Sequence, residues 1–410
     1  MAAGGALGGA RLLDLSRLVS RVGRGPLTGI DRVEMAWLQG LLDRPDPFWA
    51  LVRAAPGFML LDRAGVAALA ARLTGTVPWG MPDALSRLHL RQSPARRRVM
   101  SDLRRLALGR AGAVAPAAGL ARLLARHLPA GTVWIATGHS NLAPEVFDAV
   151  QGLPGGRAVV MIHDTIPLDH PAFGRPEAAA LFARRFALTG ARADLAIYNS
   201  AATRAAAEAR FADAGRVPPG VVAHLGIAPV PPGALPPGLD PARPAFVVLG
   251  TIEPRKNHAL LLDLWAGFAP LPSARRPLLV IAGRRGWNNA AVFARLDARP
   301  PDVLEFNDLD DATVSALMCH SRALLFPSLA EGFGLPVCEA AALGVPVIAN
   351  DLPVLREVLG DLPRLIPVTD RERWQGTILV HADPDRAPPR PQPIVAQGWE
   401  THLRHVLNLL

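Results

Sequence analysis

Of the 44 Lys and Arg residues in the chain, one alone is lysine, Lys256. It follows Arg255 in the stretch Gly250-Thr251-Ile252-Glu253-Pro254-Arg255-Lys256-Asn257, which leaves an apolar run at 245–249 and enters a helical pattern reaching Phe268. A compact ammonium beside a guanidinium fork at a strand-to-helix turn suits a diphosphate: the helix end offers free N–H groups and the side chains supply countercharge. The bland alternative is a lone lysine on a surface turn.

A second loop, Glu331-Gly332-Phe333-Gly334-Leu335-Pro336-Val337-Cys338-Glu339, follows the apolar run 323–326. Its glycines let backbone amides approach a ligand closely. Pro336 is suited to the first position of a helix, which puts Glu339 in that helix's first turn. A carboxylate there accepts hydrogen bonds from paired sugar hydroxyls, or merely complements the helix dipole. Glu331 is either a ligand group or an exposed loop charge. Asp308, Asp310 and Asp311 form a D-x-D pattern, but they stand just before a helical stretch, so capping is favoured over metal binding. No metal site is expected.

These loops need strands to carry them. Short apolar runs at 133–136, 158–162, 246–249, 278–282, 323–326 and 345–349 alternate with helical stretches, which reads as α/β with mostly parallel sheets. At 410 residues two domains are the default. The proline-rich stretch 228–244 cannot continue a helix or a central strand and reads as a linker. The expected division is 1–227, the linker 228–244, 245–385, and a tail 386–410 ending in a helix. In the first part, 11–15 reads as a strand, followed by a loop and a helix whose Thr28 and Asp31 are spaced as a capping box. Later strands run into polar turns: Gly138-His139-Ser140-Asn141, His163-Asp164-Thr165 and Asn199-Ser200. In open α/β sheets ligands bind beyond the carboxyl ends of strands, so these turns form one rim of a cleft. His139 either lines that cleft or caps a turn.

The net charge of +9 comes with no aromatic interleaving and no nucleic-acid module, so nucleic acid is not expected as a partner. Arg91, Arg96, Arg97, Arg98, Arg104 and Arg105 alternate with Leu88, Leu90, Val99, Leu103 and Leu106. The segment 87–106 is therefore either a solvated face or a basic amphipathic helix resting on anionic lipid. No apolar run reaches the ~18 residues of a membrane span. Asp14 interrupts any signal-peptide core, so the expected location is cytoplasmic, with peripheral contact at the inner face of the plasma membrane. Cys319 and Cys338 read as buried free thiols. The glycine-rich start lacks a preceding strand and is not read as a dinucleotide fingerprint.

The two loops GTIEPRKN and PSLAEGFGLPVCEAAALGVPVIANDLPVLREVLGD resemble the donor half of the retaining glycosyltransferases of family four, which include sucrose synthase and bacterial polysaccharide mannosyltransferases. The phrases TGIDRV, GHSNL, HDTIPLDHP and NSAATR resemble bacterial members, so the likeness covers most of the chain, and Glu331 and Glu339 match the E-x7-E motif. The resemblance implies the GT-B fold, two facing Rossmann-like domains with a C-terminal helix packing back on the first. It implies that Arg255 and Lys256 hold the donor diphosphate with Gly250 and Thr251 beside them. Glu339 would take the ribose hydroxyls, and Glu331 the transferred sugar beside the amides of Gly332, Phe333, Gly334 and Leu335. His163 matches a histidine that reaches the donor sugar across the cleft, with Asp164 next to it. Thr28 and Gly29 match the first loop, near the phosphates or acceptor. Many members carry an arginine where this chain has Thr251, and Arg255 is the residue that can supply that charge.

The implied activity is transfer of mannose or a similar hexose from a GDP- or UDP-sugar to a glycan or polyprenyl-diphosphate-linked acceptor in surface polysaccharide synthesis. It needs no metal and no cofactor beyond the nucleotide-sugar co-substrate. Readings of another class are an epimerase or phosphorylase on the same fold, the latter with Lys256 as a Schiff-base residue, and a binding protein without turnover.

Overall fold

The structure is a computed structural model that describes residues 9–25, 27–54, 57–88, 92–112 and 116–410. The start of the glycine-rich stretch, Leu90 and Arg91 lie outside them. Two sheets organise the chain. The first contains β1 (Arg11–Asp14), β2 (Phe48–Ala54), β3 (Gly57–Leu61), β4 (Gly109–Ala111), β5 (Val133–Ala136), β6 (Arg157–Ile162), β7 (Leu195–Tyr198) and β8 (Gly220–Val222). Their order is β4-β3-β2-β1-β5-β6-β7-β8, antiparallel only at β2–β3 and β3–β4. The second contains β9 (Ala245–Leu249), β10 (Leu278–Ala282), β11 (Val303–Phe306), β12 (Ala323–Phe326), β13 (Val347–Ala349) and β14 (Arg364–Leu365), all parallel in the order β11-β10-β9-β12-β13-β14.

Strand order reverses at β1, between β2 and β5, and at β9, between β10 and β12. At such switch points the connections leave in opposite directions and open a crevice beyond the carboxyl ends. The central strands are continuous apolar runs because both faces are covered: every residue of β5, β9, β10 and β12 is buried.

The helices that bear on the site are α1 (Ser16–Arg21), α2 (Gly29–Leu42), α3 (Ala84–Leu88), α4 (Pro94–Leu106), α5 (Ala201–Asp213), α6 (His258–Gly267), α7 (Asp311–His320), α8 (Leu335–Ala342), α9 (Pro353–Leu359) and α10 (Trp399–Leu407). One apolar cluster includes Leu13, Val33 and Trp37 with Val247, Val337 and Leu403, so it joins both sheets and the C-terminal helix. Two others fill the remaining side of each sheet. Helix α10 lies on α2: the rings of His402 and Trp37 meet edge-on at 5.6 Å, and Glu400 pairs with Arg44 at 2.7 Å. A Cβ on Gly40 would overlap Leu403 Cδ1, so a larger residue there obliges that side chain to move. Residues 231–244 form neither helix nor strand. The stretch runs along α7, with Gly233 N donating to Ala312 O at 2.9 Å and Ser315 Oγ to Val230 O at 2.6 Å.

The basic segment is not one lipid-facing helix. It divides into α3 and α4, and Val99, Met100 and Leu103 of α4 are buried in the main core, so the apolar stripe expected to meet lipid is already covered. Arg104 is tied to Asp83, and Arg105 and Arg72 to Asp102. Leu88, 77% exposed, and Leu85 remain outside the core. Both cysteines are free; Cys338 is buried and Cys319 half-buried.

Candidate functional site

The loops after β9 and β12 flank the second switch point. Gly250 (φ +119) turns the chain out of β9, Pro254–Lys256 form a 3-10 turn, and Asn257 (φ +53) adopts the left-handed conformation before α6 begins. The glycine leaves room for the Lys256 stem, whose Cε would stand 3.4 Å from a Cβ at that position. Lys256 is 7% exposed, and its ammonium lies 4.5 Å from the Phe326 ring centroid. Lys256 Nζ and Arg255 Nη1 both donate to Glu331 Oε1, each at 2.5 Å. Arg255 also donates to Ala330 O at 3.0 Å and pairs through Nη2 with Glu253 at 2.7 Å.

The two loops thus meet in a buried cluster of two cations and two carboxylates. Burial pulls the Lys256 ammonium below its ordinary pKa, against the opposing pull of Glu331. Burial pushes Glu331 up, but Arg255 and Lys256 overcome this and hold it below the usual carboxylate range. Arg255 is raised by Glu331 and Glu253 in spite of burial. The cluster holds two cations together at a point where a phosphate can replace a carboxylate as their partner.

At Gly332 the backbones of the two halves come together. A Cβ on it would overlap the carbonyl oxygen of His163, so only glycine fits. Ser200 Oγ and Thr203 Oγ1, from the start of α5, donate to Gly332 O at 2.8 and 3.1 Å. The Phe333 ring is buried against His224 at 5.8 Å, and Gly334 (φ +92) is the N-cap of α8. Because that cap is left-handed, the helix starts at Leu335, one residue before the expected proline. Glu339 is consequently its fifth residue and stands beyond the first turn, which corrects its expected placement.

Glu339 is met from the other half. Arg32 of α2 donates through Nη1 to Glu339 Oε1 at 2.8 Å and through Nη2 to Asp311. Burial raises Glu339 above the usual carboxylate pKa and Arg32 opposes that rise. Thr28 and Gly29 stand one turn earlier: Asp31 accepts from Thr28 N at 2.9 Å and Thr28 Oγ1 at 2.6 Å, and a Cβ at Gly29 would lie 3.7 Å from Leu335. Of the D-x-D aspartates, Asp310 caps α7 by accepting from Thr313 N at 2.7 Å, and Asp308 pairs with Arg284.

The first-half rim lies beyond β5, β6 and β7. His163 is 5% exposed; its Nε2 donates to Thr137 O at 2.6 Å, and Asn199 Nδ2 donates to its carbonyl at 2.8 Å. Burial and the neighbouring His139 push the ring down to about 3, so it is a neutral imidazole with Nδ1 as its accepting nitrogen. His139 (φ +57) bonds Met161 O, and its ring lies 5.2 Å from that of His163; burial pushes it down to about 4. Thr251 is half-buried, and Asp164 accepts from Ile166 N at 3.0 Å; burial raises its carboxyl.

The structure therefore gathers Gly250, Arg255, Lys256, Glu331, Gly332 and the His163 carbonyl around one point, and Thr28, Gly29, Leu335 and Glu339 around a second. Sequence reasoning passed over Arg32 and Glu253 as site residues, and read Asp311 only with the helix-capping aspartates. Arg32 had a signal, lying four residues after Thr28 and so on the same helix face.

Two mainly parallel sheets sharing one apolar core, each with a switch point, and a returning C-terminal helix are the GT-B architecture. Sucrose-phosphate synthase from Thermosynechococcus elongatus has this fold with a TM-score of 0.61 at 15% identity, covering 98% of this chain and 94% of that one. HepE of Anabaena, solved in complex with UDP-glucose, gives 0.57 at 16% identity, covering 98% and 100%. Residues 236–379 match the family described as glycosyl transferases group 1. The serotype-specific mannosyltransferase WbdA of Escherichia coli is 30% identical over 243 residues, 53% of this chain; the chain spans 29% of that relative's length.

Proposed function

We propose that this chain moves a hexose, mannose or a close relative, from a nucleoside diphosphate sugar to a glycan or lipid-linked acceptor of a bacterial surface polysaccharide. The observation that carries the reading is the convergence of Arg255 and Lys256 on Glu331 at the switch point of the second sheet. In this reading the donor diphosphate draws Arg255 and Lys256 toward its oxygens, and Glu331 is released to the hydroxyls of the sugar. Glu339 takes the ribose diol. The mannosyltransferase relative supports the choice of sugar.

The reaction breaks the bond from the sugar's anomeric carbon to the diphosphate oxygen and forms one to an acceptor oxygen. Positive charge grows on the ring and negative charge on the leaving phosphate, where Arg255 and Lys256 are already in place. The acceptor proton passes to the leaving phosphate oxygen on the same face of the sugar, so configuration is retained and neither a dedicated base nor a metal is needed. His163, a neutral imidazole, orients the donor sugar and moves no proton. The work is done at the inner face of the plasma membrane, with Leu85, Leu88 and Arg87 as the part of the basic segment left to touch it. No helix among the described residues is long and apolar enough to cross a membrane.

The test is to incubate the full chain with GDP- and UDP-hexoses and a bacterial polyprenyl-linked oligosaccharide fraction in the presence of EDTA. One donor is expected to yield a product one hexose heavier, with the donor's anomeric configuration by NMR. No transfer from any donor, or an inverted product, overturns the reading.

A further inference from the structure

A second basic site lies away from the loops just described. The end of α1, the loop that follows it and the start of α4 enclose a pocket of about 440 Å³, open to solvent and lined by Ser20, Val22, Gly23, Arg24, Ser93 and Arg96. No carboxylate lines it. That is unusual for this chain, where the nearby Arg17 and Arg21 share Asp31, Arg104 holds Asp83, and Arg284 holds Asp308. The Arg24 side chain has no hydrogen bond or ion pair among the described residues, and Arg96 Nη1 reaches only Val19 O, at 3.4 Å. Burial and the charge of Arg24 both work against the Arg96 cation. Arg96 is partly buried beside the exposed Arg24 guanidinium, so an anion joining the two would offset both the burial of Arg96 and the repulsion between the cations.

The remaining donors suit a phosphate. Ser93 Oγ accepts from Arg96 N at 3.2 Å, which leaves its own proton to donate into the pocket. Two planar forks and a hydroxyl can together hold several oxygens of one phosphate dianion. The volume exceeds that of one phosphate, which leaves room for a second phosphate or an organic substituent. The loop is also fixed from the other half: Arg284 Nη1 donates to Arg24 O at 2.8 Å, and its guanidinium fills the space a Cβ on Gly25 would need. The same loop continues to Thr28 and Gly29 at the cleft.

We propose that this pocket is an anion site for a phosphate or diphosphate monoester, separate from the donor diphosphate site, and that it holds the phosphate end of the acceptor. The choice of the acceptor as source rests on the glycosyltransferase reading; the anion site itself does not.

The experiment is calorimetric titration with inorganic pyrophosphate of the full chain and of its Lys256→Ala, Arg24→Gln, Arg96→Gln and doubly substituted Arg24→Gln/Arg96→Gln forms, each checked for folding by circular dichroism. Arg24 is exposed, so its variant folds even if the Arg96 variant does not. Pyrophosphate binding that persists in Lys256→Ala and weakens at least ten-fold in either arginine variant is the expected result. Binding unchanged by the folded arginine variants, or abolished by Lys256→Ala alone, overturns the proposal. A parallel titration with a short-chain isoprenyl diphosphate separates the sources. Tighter binding than pyrophosphate, lost with Arg24, assigns the lipid-linked acceptor, and equal binding assigns a free anion. Loss of transfer activity with these titrations intact would count against the glycosyltransferase reading and leave the anion site standing.

Discussion

Arg32 on the first sheet's α2 holds Glu339 on the second sheet's α8 at 2.8 Å, and the same guanidinium reaches Asp311. The carboxylate read as the ribose acceptor is therefore already occupied, by a residue of the opposite half. A donor that takes Glu339 leaves Arg32 on Asp311 without breaking the bridge between the halves. Arg32→Ala removes this competitor, so nucleotide affinity near pH 7 is expected to hold or to rise a few-fold. Glu339 then loses the cation that opposes burial, and its raised pKa rises further. Binding that needs the carboxylate weakens as pH falls through that pKa, so the acid limb of Kd moves to higher pH in the variant. Nucleotide titrations between pH 4.5 and 8 measure both effects. Affinity lost at pH 7 would instead make Arg32 a donor ligand.

Gly332 separates its loop from the His163 carbonyl by less than a methyl group's width. Gly332→Ala must push the two halves apart or distort the loop, an overpacking cost of about 1–3 kcal/mol. A lowered melting temperature with transfer reduced at least ten-fold is expected. Unchanged values for both would show that the contact yields freely.

His163 is neutral in the folded protein, with a pKa near 3 against 6.5 when exposed. A depressed histidine contributes stability above pH 6.5 that is lost as pH falls from 6.5 toward 3, because unfolding then takes up a proton. The slope is roughly 1.4 kcal/mol per pH unit for one such group. Urea unfolding of wild type and His163→Asn between pH 4.5 and 7.5 is expected to differ by about that slope, the variant being flatter. Transfer activity should show no limb near pH 6.5 from this residue.

Leu85 and Leu88 project from α3, 51% and 77% exposed, beside Arg87. Binding of the full chain to vesicles containing anionic lipid is expected to fall several-fold in Leu85→Glu/Leu88→Glu, with folding unchanged because neither residue is in the core. Equal flotation of both proteins would remove the membrane contact from the account.

Much of this arrangement is legible in the sequence where one residue decides one local outcome. The runs of β5, β10 and β12 match their strands end to end, since a strand buried on both faces must be apolar throughout. The run at 345–349 does not: Val345 N is taken by Ala340 O at the end of α8, and the strand begins at Val347. Helix α8 starts at Leu335 because Gly334 caps it in a left-handed conformation, which no rule about Pro336 reveals. The meeting of Arg255, Lys256 and Glu331 followed from two loops on one sheet edge. Arg32 with Glu339, and Arg24 facing Arg96, depend on how separate elements pack, and spacing along the chain carries no trace of that.

The central claim is that Lys256 and Glu331 mark a nucleoside diphosphate site. It is tested most directly by calorimetric titration of GDP, UDP and ADP into the wild-type chain and Lys256→Ala. The account predicts that one nucleotide binds the wild type and that the substitution weakens it at least ten-fold in a folded protein. Absence of binding by all three, or equal binding by the variant, would contradict it.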